Sequence, residues 1–183
     1  MWALVKNGTV EKTYSRPIAT TVNKVYYPKE MFTLYSTSEQ KAIGIYPITL
    51  KSKPDSTLYD IGSSSYSYDA GTDTVSEDFT ATEKNLSDLK ATQIRNVQAQ
   101  CHGRIARYDW LVTRYAWDNT KTIPSAVTTY TAAVRSHSNT ISTAIDDCAN
   151  FDAFKVVYAK IYESDGEYKT GWPDDSSVVS YER

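Results

Sequence analysis

The stretch "RYDWLVTRYAWDNTKTIPSAVTTYTAAVR", residues 107–135, decides the expected fold of the C-terminal half of this chain. Apolar residues recur every three or four positions on both sides of a short polar break at 119–122. Such spacing places side chains on one face of an α-helix. Because so few residues separate the two patterns, the stretch predicts two helices that pack as antiparallel neighbours.

Each apolar stripe continues beyond this stretch. The expected inward-facing residues are Ile94, Val97, Cys101, Ile105, Tyr108, Val112 and Tyr115 in the first stripe, and Val127, Tyr130, Val134, His137, Ile141, Ile145 and Cys148 in the second. The pattern predicts helices of about eight and about seven turns that share one apolar seam. Asn85 or Ser87 would cap the first helix, and Pro124 suits the first turn of the second.

The same pairing predicts the state of the two cysteines. Cys101 and Cys148 would be offset by about seven residues, or roughly 10 Å along the helices. That separation is too large for a disulfide. Both thiols are therefore expected to be free and to act as small core side chains.

The N-terminal part carries strand and turn signals instead. Asn7-Gly8 is a residue pair that tight hairpin turns prefer, since both central residues need a positive φ. The sequence predicts a first hairpin around this pair. The residues expected on one of its faces are Trp2, Leu4 and Val10.

Three further elements are expected before the helical half. Residues 20–28, "TTVNKVYYP", predict one short strand that ends at the proline. Ser36 and Glu39 have the spacing of a capping box, which predicts that a short helix begins there. Gly44 is expected to end this helix. The Ser-, Thr- and Tyr-rich residues 57–84 predict a hairpin around the turn "DAGTD".

The sequence therefore predicts an α+β chain in three parts. A β-rich N-terminal module (1–84) precedes a long antiparallel helical hairpin (85–150) and a C-terminal segment (151–183). In that last segment, "FKVVYAKIY" combines helical and alternating features. We expect it to form a helix or a strand that returns to the hairpin, followed by a loosely ordered tail.

Composition excludes several classes of function. The chain has 183 residues, of which 40% are hydrophobic and 23% charged, as in an ordinary soluble protein. A net charge of −2 with scattered basic residues argues against nucleic acid and anionic membranes as partners. The N-terminus lacks the apolar core of a signal peptide, and no apolar run reaches the length of a membrane span. We expect a protein of the reducing cytoplasm.

Residues that could support catalysis are few. His102 and His137 would be neighbours in the paired helices, and with Cys101 or Asp109 they would offer a metal or nucleophile site. A hydrogen-bonded core histidine is the simpler interpretation of His137, because it lies on the apolar stripe. The acidic pairs lack the alternating ligands of a calcium loop, and neither a nucleophile elbow nor a phosphate-binding loop is present. The sequence predicts no catalysis, no metal and no cofactor.

Tyrosine is the one unusual component. There are 15 Tyr against 4 Phe. A tyrosine ring with its polar tip suits half-buried strands, and it also suits binding surfaces. Two interpretations of Tyr59, Tyr66 and Tyr68 stay open: ordinary strand residues, or a glycan-binding face on which sugars stack.

The order of these motifs resembles a group of bacteriophage proteins. "MWALVKNGTVEKTY", "VYYPKEMF" and "STSEQKAIGIYPI" resemble the N-terminal module of small tailed-phage proteins encoded near tail-fibre genes. The helical stretch at 107–135 and the residues that follow it are similar to their second module, of the tail assembly chaperone-like group. "GWP" at 171–173 is similar to a late Trp-Pro of tail-fibre assembly proteins. The positions that match the second module's pattern are Arg107, Asp109, Trp110, Ile123, Pro124, Tyr130 and Arg135.

The resemblance implies a non-catalytic tail or tail-fibre accessory protein that binds phage tail or tail-fibre proteins in the host cytoplasm during assembly. Retention in the virion tail, a permanent fibre, baseplate or adaptor role, and self-association into a homo-oligomer stay open. The expected partner-binding residues are Arg107, Asp109, Trp110, Arg114, Tyr130 and Arg135. Trp110 has two equal interpretations, an outward anchor or a ring of the hairpin's own core.

Overall fold

A computed structural model describes residues 1–182 of the chain. They fall into two compact units, Met1–Thr82 and the part from Glu83 onward. Strands make up 24% and helices 46% of the structure. The strands come first and the long helices follow, so the predicted α+β class, with an N-terminal β-rich part, is confirmed.

The first unit is built on a five-stranded sheet in the order β2-β1-β5-β7-β6. Its elements are β1 (Trp2–Lys6), β2 (Thr9–Tyr14), β3 (Thr20–Val22), β4 (Val25–Tyr27), α1 (Met31–Leu34), α2 (Thr37–Ala42), β5 (Ile45–Thr49), β6 (Tyr59–Asp69) and β7 (Thr74–Glu83). Strand β1 is antiparallel to β2 and β5, whereas β5 is parallel to β7. The sheet curls, since its edge strands β2 and β6 also approach each other.

Two tight turns shape this unit. Asn7 and Gly8 have φ of 52° and 75°, as the predicted first hairpin requires. Asn23 and Lys24 adopt the same positive φ, 50° and 67°, and Val22 pairs with Val25 across them. The prediction of one strand over residues 20–28 is therefore wrong, because a second hairpin divides it into β3 and β4. Asn-Lys is a weaker turn signal than Asn-Gly, since lysine lacks the freedom of glycine at positive φ.

A register shift in the first hairpin places Val10 on the other face of the sheet from Trp2 and Leu4. The irregularity lies between Leu4 and Val5, and it pairs Val5 with Val10. Leu4 and Trp2 pack in the cluster that includes Phe32, while Val10 belongs to the cluster on the other side of the sheet. The prediction that Val10 shares a face with Trp2 and Leu4 is wrong, because an extra residue in one strand reverses the side-chain alternation beyond it.

The short helix α2 begins and ends as predicted. The Glu39 N–H donates to Ser36 Oγ at 3.3 Å, and the Ser36 N–H donates to Glu39 Oε2 at 2.8 Å, which completes the capping box. Gly44 has a φ of 86°. A side chain at Gly44 would also place its Cβ 3.0 Å from the Val5 carbonyl oxygen, so both conformation and space favour glycine here.

The second unit consists of helices and turns. They are α3 (Leu86–Ile105), a 3-10 turn (Ala106–Tyr108), α4 (Asp109–Trp117), α5 (Ser125–Asp146), α6 (Phe151–Tyr162), α7 (Glu167–Thr170) and a second 3-10 turn (Val179–Tyr181). Asn85 caps α3 by accepting from the N–H groups of Ser87 and Asp88. Helices α3 and α5 pack on each other. Lys90 donates to the Asp146 carbonyl at 2.8 Å, and the ring centroids of Tyr108 and Tyr130 are 5.7 Å apart.

The first predicted helix is interrupted. Most of the expected stripe is buried or half-buried, but Val112 and Tyr115 are 55% and 47% exposed, and Leu111 is buried in their place. The prediction that Val112 and Tyr115 lie in the seam is therefore wrong. A 3-10 turn advances each residue by about 120° rather than the ~100° of an α-helix, so the apolar stripe loses its register across residues 106–108.

The end of the chain is packed into the second unit. Residues 171–182, here called the closing segment, contribute Val178 at 0% exposure to a cluster that includes Tyr108 and Val134. Trp172 and Tyr181 pack against the same cluster. The expectation of a loosely ordered tail is wrong. Trp172 and Val178 lie outside the helices and only one 3-10 turn follows them up to residue 182, so the segment is too irregular to show a sustained helical or strand period.

Two adjacent valines test the role of the closing segment. We expect Val178→Ala to lower the free energy of unfolding of the second unit by about 2 kcal/mol, because it removes buried methyl groups and leaves a cavity. Val179→Ala is the matched control, since Val179 is 54% exposed, and its effect should stay within about 0.5 kcal/mol. Urea unfolding of both variants provides the measurement. Equal effects would show that the closing segment does not stabilise the helices.

Candidate functional site

The six residues predicted to bind a partner lie on the 3-10 turn, α4 and the facing part of α5, but they do not form one surface. Three of them hold the closing segment in place. Two line a groove on another face of the helices, and one is exposed near the end of α4. The first group is Arg107, Trp110 and Tyr130; the second is Asp109 and Arg135; the third is Arg114.

Arg107 forms an ion-pair network with the closing segment. Its Nη1 donates to Glu182 Oε1 at 2.8 Å and lies 3.7 Å from Asp175 Oδ2. The hydrogen bond and charge of Glu182 raise the pKa of Arg107 above its ordinary value. Because the pairs are about half exposed to solvent, they position the closing segment more than they stabilise it.

Trp110 packs against the same segment. Its Nε1 donates to the Tyr181 carbonyl at 2.9 Å, and the half-buried indole contacts the core cluster that contains Tyr108 and Val178. Of the two interpretations that the sequence left open for Trp110, the geometry agrees with the ring of the protein's own core.

Tyr130 is buried at the centre of this cluster. Its ring meets that of Tyr108 edge-on at 5.7 Å, and the Tyr108 hydroxyl donates to Glu182 Oε1 at 3.3 Å. Burial, followed by the negative charge of Glu182, raises the pKa of Tyr108 to about 12. Tyr130 has a structural role in this arrangement.

Asp109 and Arg135 line a groove between α3–α4 and α5. Two adjoining cavities of about 410 and about 200 Å³ share Ile105, Asp109 and Arg135 as lining residues, and we call the joined depression the α3–α5 groove. The other residues that line it are Gln98, Cys101, His102, Tyr108, Val112, Ile123, Val127, Thr128, Thr131, Ser138 and Asn139.

The most exposed aromatic residue among those described in the second unit is not one of the predicted site residues. Trp117 ends α4 and is 89% exposed, and Val112, Arg114 and Tyr115 on the same helix are also exposed. After Trp117 the chain turns at Asp118, whose Oδ1 accepts from the Thr120 N–H at 3.1 Å. The sequence gives no signal for this exposure, since Trp117 lies off the expected apolar stripe while the stripe residues Val112 and Tyr115 are exposed as well.

The three tyrosines of the expected glycan face are not grouped. Tyr59 and Tyr66 are seven residues apart on β6, or roughly 23 Å along a strand. Tyr66 and Tyr68 pack against the cluster around Val75. The Tyr68 hydroxyl donates to Asp73 Oδ1 at 2.9 Å, and hydrogen bonding to Tyr46 and Asp73 raises the pKa of Tyr68 above its ordinary value.

The histidines and cysteines do not converge on one point. His102 is exposed, whereas His137 is half-buried, with Nε2 3.0 Å from the Tyr168 carbonyl oxygen and its ring centroid 4.9 Å from that of Trp172. Both cysteines are free, as predicted, and burial raises the pKa of Cys148. Within residues 1–182, no three His, Cys, Asp or Glu side chains cluster as metal ligands would.

No family model, curated protein or solved structure matches this chain. Among the helices described for residues 1–182, none is both long and apolar enough to cross a membrane. Function is therefore inferred from the sequence motifs and from the geometry of the second unit.

The two tryptophans of α4 should differ in their effect on stability. We expect Trp110→Ala to lower the free energy of unfolding by about 3 kcal/mol, because it removes a large packed ring and the hydrogen bond to Tyr181. Trp117→Ala should change it by less than about 0.5 kcal/mol, since the indole is almost fully exposed. Thermal or urea unfolding measures both. A Trp110→Ala protein as stable as the wild type would contradict its placement in the core.

The raised pKa of Tyr108 predicts a loss of stability in alkali. The folded state keeps the phenol protonated up to pH about 12, whereas the unfolded chain loses that proton near pH ~10, so the unfolded state binds fewer protons in between. The contribution of Tyr108 is fully present below pH ~10 and falls as pH rises towards 12. Tyr108→Phe cannot ionise. We therefore expect the wild type to lose stability relative to this variant between pH ~10 and ~12, as measured by urea unfolding. If the difference in stability between the wild type and Tyr108→Phe stayed constant over this pH range, the raised pKa of Tyr108 would be contradicted.

Proposed function

We propose that this protein is a non-catalytic bacteriophage tail or tail-fibre accessory protein, similar to an assembly chaperone, that acts by binding another protein. The observation that carries the proposal is the 89% exposure of Trp117 at the end of α4, a helix on which Arg114 and Tyr115 are exposed as well. Tryptophan, tyrosine and arginine dominate the energetic centres of protein interfaces. Arg114 lies three residues before Trp117 and therefore on the same face of α4, and an exposed tryptophan beside an arginine is typical of a site for a protein partner.

The support beneath this surface suits a binding role. We propose that α3 and α5 act as one antiparallel hairpin that holds α4 in a fixed orientation. Leu111 anchors α4 in the core cluster with Tyr130, while Val112, Arg114 and Tyr115 of the same helix stay exposed. A rigid helix that presents aromatic side chains loses little conformational entropy when it binds, which favours affinity.

The assignment to phage tails depends on the resemblance of the motifs. Several motif residues hold the second unit together: Arg107 and Trp110 bind the closing segment, and Tyr130 fills the core. A protein module that occurs in many proteins would keep residues with such structural roles. Trp172 of "GWP" stacks beneath Arg104, whose Cζ lies 4.8 Å from its ring centroid. In this proposal, Arg114 and the exposed residues of α4 contact tail or tail-fibre proteins in the host cytoplasm during assembly.

Binding to purified tail and tail-fibre proteins of the encoding phage tests the proposed surface. We expect Trp117→Ala to weaken the affinity by roughly 30-fold, or about 2 kcal/mol, as for an interface hot spot. Tyr26→Ala is the matched control, because Tyr26 is a 68% exposed aromatic residue of the first unit, and this variant should bind like the wild type. Isothermal titration calorimetry gives both dissociation constants. Unchanged affinity of the Trp117→Ala variant would reject the α4 surface.

Electrophoresis of purified phage particles distinguishes the two fates of such a protein. A transient assembly factor should be absent from mature particles and present in infected-cell extracts together with its partner. A band at fixed copy number in the particles would overturn the assembly-factor role and assign a permanent fibre, baseplate or adaptor subunit instead.

A further inference from the structure

The closing segment covers part of the helical core and is held there by side chains. Val178 is fully buried and Trp172 and Tyr181 are half-buried, whereas six of the segment's twelve residues are exposed. Its backbone joins the helices through the Tyr181 carbonyl, which accepts from Trp110 Nε1 at 2.9 Å. Four N–H groups between residues 178 and 182 donate instead to carbonyls inside the segment. Release of the segment would therefore leave the backbone hydrogen bonds of the helices intact.

The segment does not fill the space between itself and α5. An open cavity of about 390 Å³ lies there, and the side chains that α5 contributes to it are small apart from Tyr130. The residues that line it are Pro173, Asp174 and Ser177 of the segment and Ser125, Ala126, Thr129, Tyr130 and Ala133 of α5. Because packing attraction needs atoms in contact, residues 173–177 contribute little to holding the segment in place.

The residues beneath the segment are of the types that binding surfaces favour. We call Arg107, Tyr108, Trp110 and Tyr130 the covered surface. Tyr108 and Tyr130 are buried in the cluster that contains Val178, and Trp110 packs against it. Arg107 forms ion pairs with the segment at the edge of this cluster. Arginine, tryptophan and tyrosine are the residues that most often dominate the binding energy of protein interfaces.

The closing segment offers this surface one apolar side chain between two carboxylates. Val178 enters the cluster, and Arg107 Nη1 lies 2.8 Å from Glu182 Oε1 and 3.7 Å from Asp175 Oδ2. Ion pairs that are about half exposed contribute little to stability. Weakly held elements of this kind open at a lower free-energy cost than the whole fold. Opening of the segment makes the covered surface accessible while the helices stay folded.

We infer that the closing segment is a releasable cover, and that the covered surface binds a partner segment of the same chemistry, an apolar side chain flanked by carboxylates. A basic peptide would be repelled by Arg107, and a nucleic acid has no aliphatic side chain for the place of Val178. Because the cover competes with the partner, the apparent affinity is reduced by the fraction of molecules that are open. Trp117 is 89% exposed and lies outside the covered surface, so the inference does not rest on the proposed role of Trp117.

Cysteine labelling at two buried valines tests whether the cover opens by itself. Val178 of the segment and Val134 of α5 are both 0% exposed in the same cluster. In a full chain whose own Cys101 and Cys148 are replaced by alanine, Val178→Cys should react with a thiol reagent at least about tenfold faster than Val134→Cys, because only the first becomes accessible while the helices stay folded. Mass spectrometry under native conditions gives both rates. Equal rates would show that the segment opens only when the whole unit unfolds, and would overturn the inference.

A fluorescent peptide of residues 172–182, added to the full chain, tests the covered surface. Val178→Asp in the chain releases the cover, because it places a charge in the apolar cluster, and it leaves the residues of the covered surface unchanged. We expect this variant to bind the peptide at least about tenfold more tightly than the wild type does, as measured by fluorescence anisotropy. Val179→Asp is the matched control, since Val179 is 54% exposed, and it should bind like the wild type.

The chemistry of the peptide provides the remaining controls. A peptide that carries the change Val178→Asp should not bind. Circular dichroism melting verifies that each chain variant is folded, and Asp175→Asn/Glu182→Gln loosens the cover without a change in the core if the Val178→Asp chain is not. Lack of peptide binding up to about 1 mM, or tighter binding of a basic peptide or a single-stranded oligonucleotide, would overturn the inference. None of these results affects binding of a tail protein through Trp117, so the two proposals fail separately.

Discussion

The edge-on contact between Tyr108 and Tyr130 is the interaction on which the arrangement of the second unit depends. Tyr108 is buried in the 3-10 turn between α3 and α4, and its ring lies 5.7 Å from that of Tyr130 on α5. Because the turn changes the direction of the side chains that follow, Leu111 enters the core and Val112 is left outside. The exposed surface of α4 and the α3–α5 groove both arise from this change of register.

The closing segment covers one side of the helical core and leaves the side with the α3–α5 groove uncovered. Val178 and Trp172 cover one part of the helical core, and Arg107 is neutralised there by Glu182. The α3–α5 groove has no such cover among the described residues, and Arg135 remains unpaired in it. Arg107 and Arg135 therefore differ in availability, because Arg107 lies beside Asp175 and Glu182, whereas Arg135 has no ion-pair partner among the described residues.

The sequence predicted the helical region in which the candidate site lies, but not which of its side chains stay available. Trp110 is a reasonable anchor by its residue type, but a segment about 70 residues later in the chain covers it. Val112 and Tyr115 fit a continuous stripe, and the break at 106–108 moves them to the surface. Trp117 lies off that stripe, at the last residue of α4, and it is exposed as well.

The features that the sequence determined by itself depend on neighbouring residues. Asn7-Gly8 sets a turn through its own backbone preferences, Ser36 and Asn85 cap helices within three residues, and the period of the second stripe buries Val134. Tertiary structure alone decided which apolar and charged side chains stay available to a partner. Periodicity identifies the face of a helix that can be buried, but the segment that covers it comes from elsewhere in the chain, on an irregular backbone that has no period to detect.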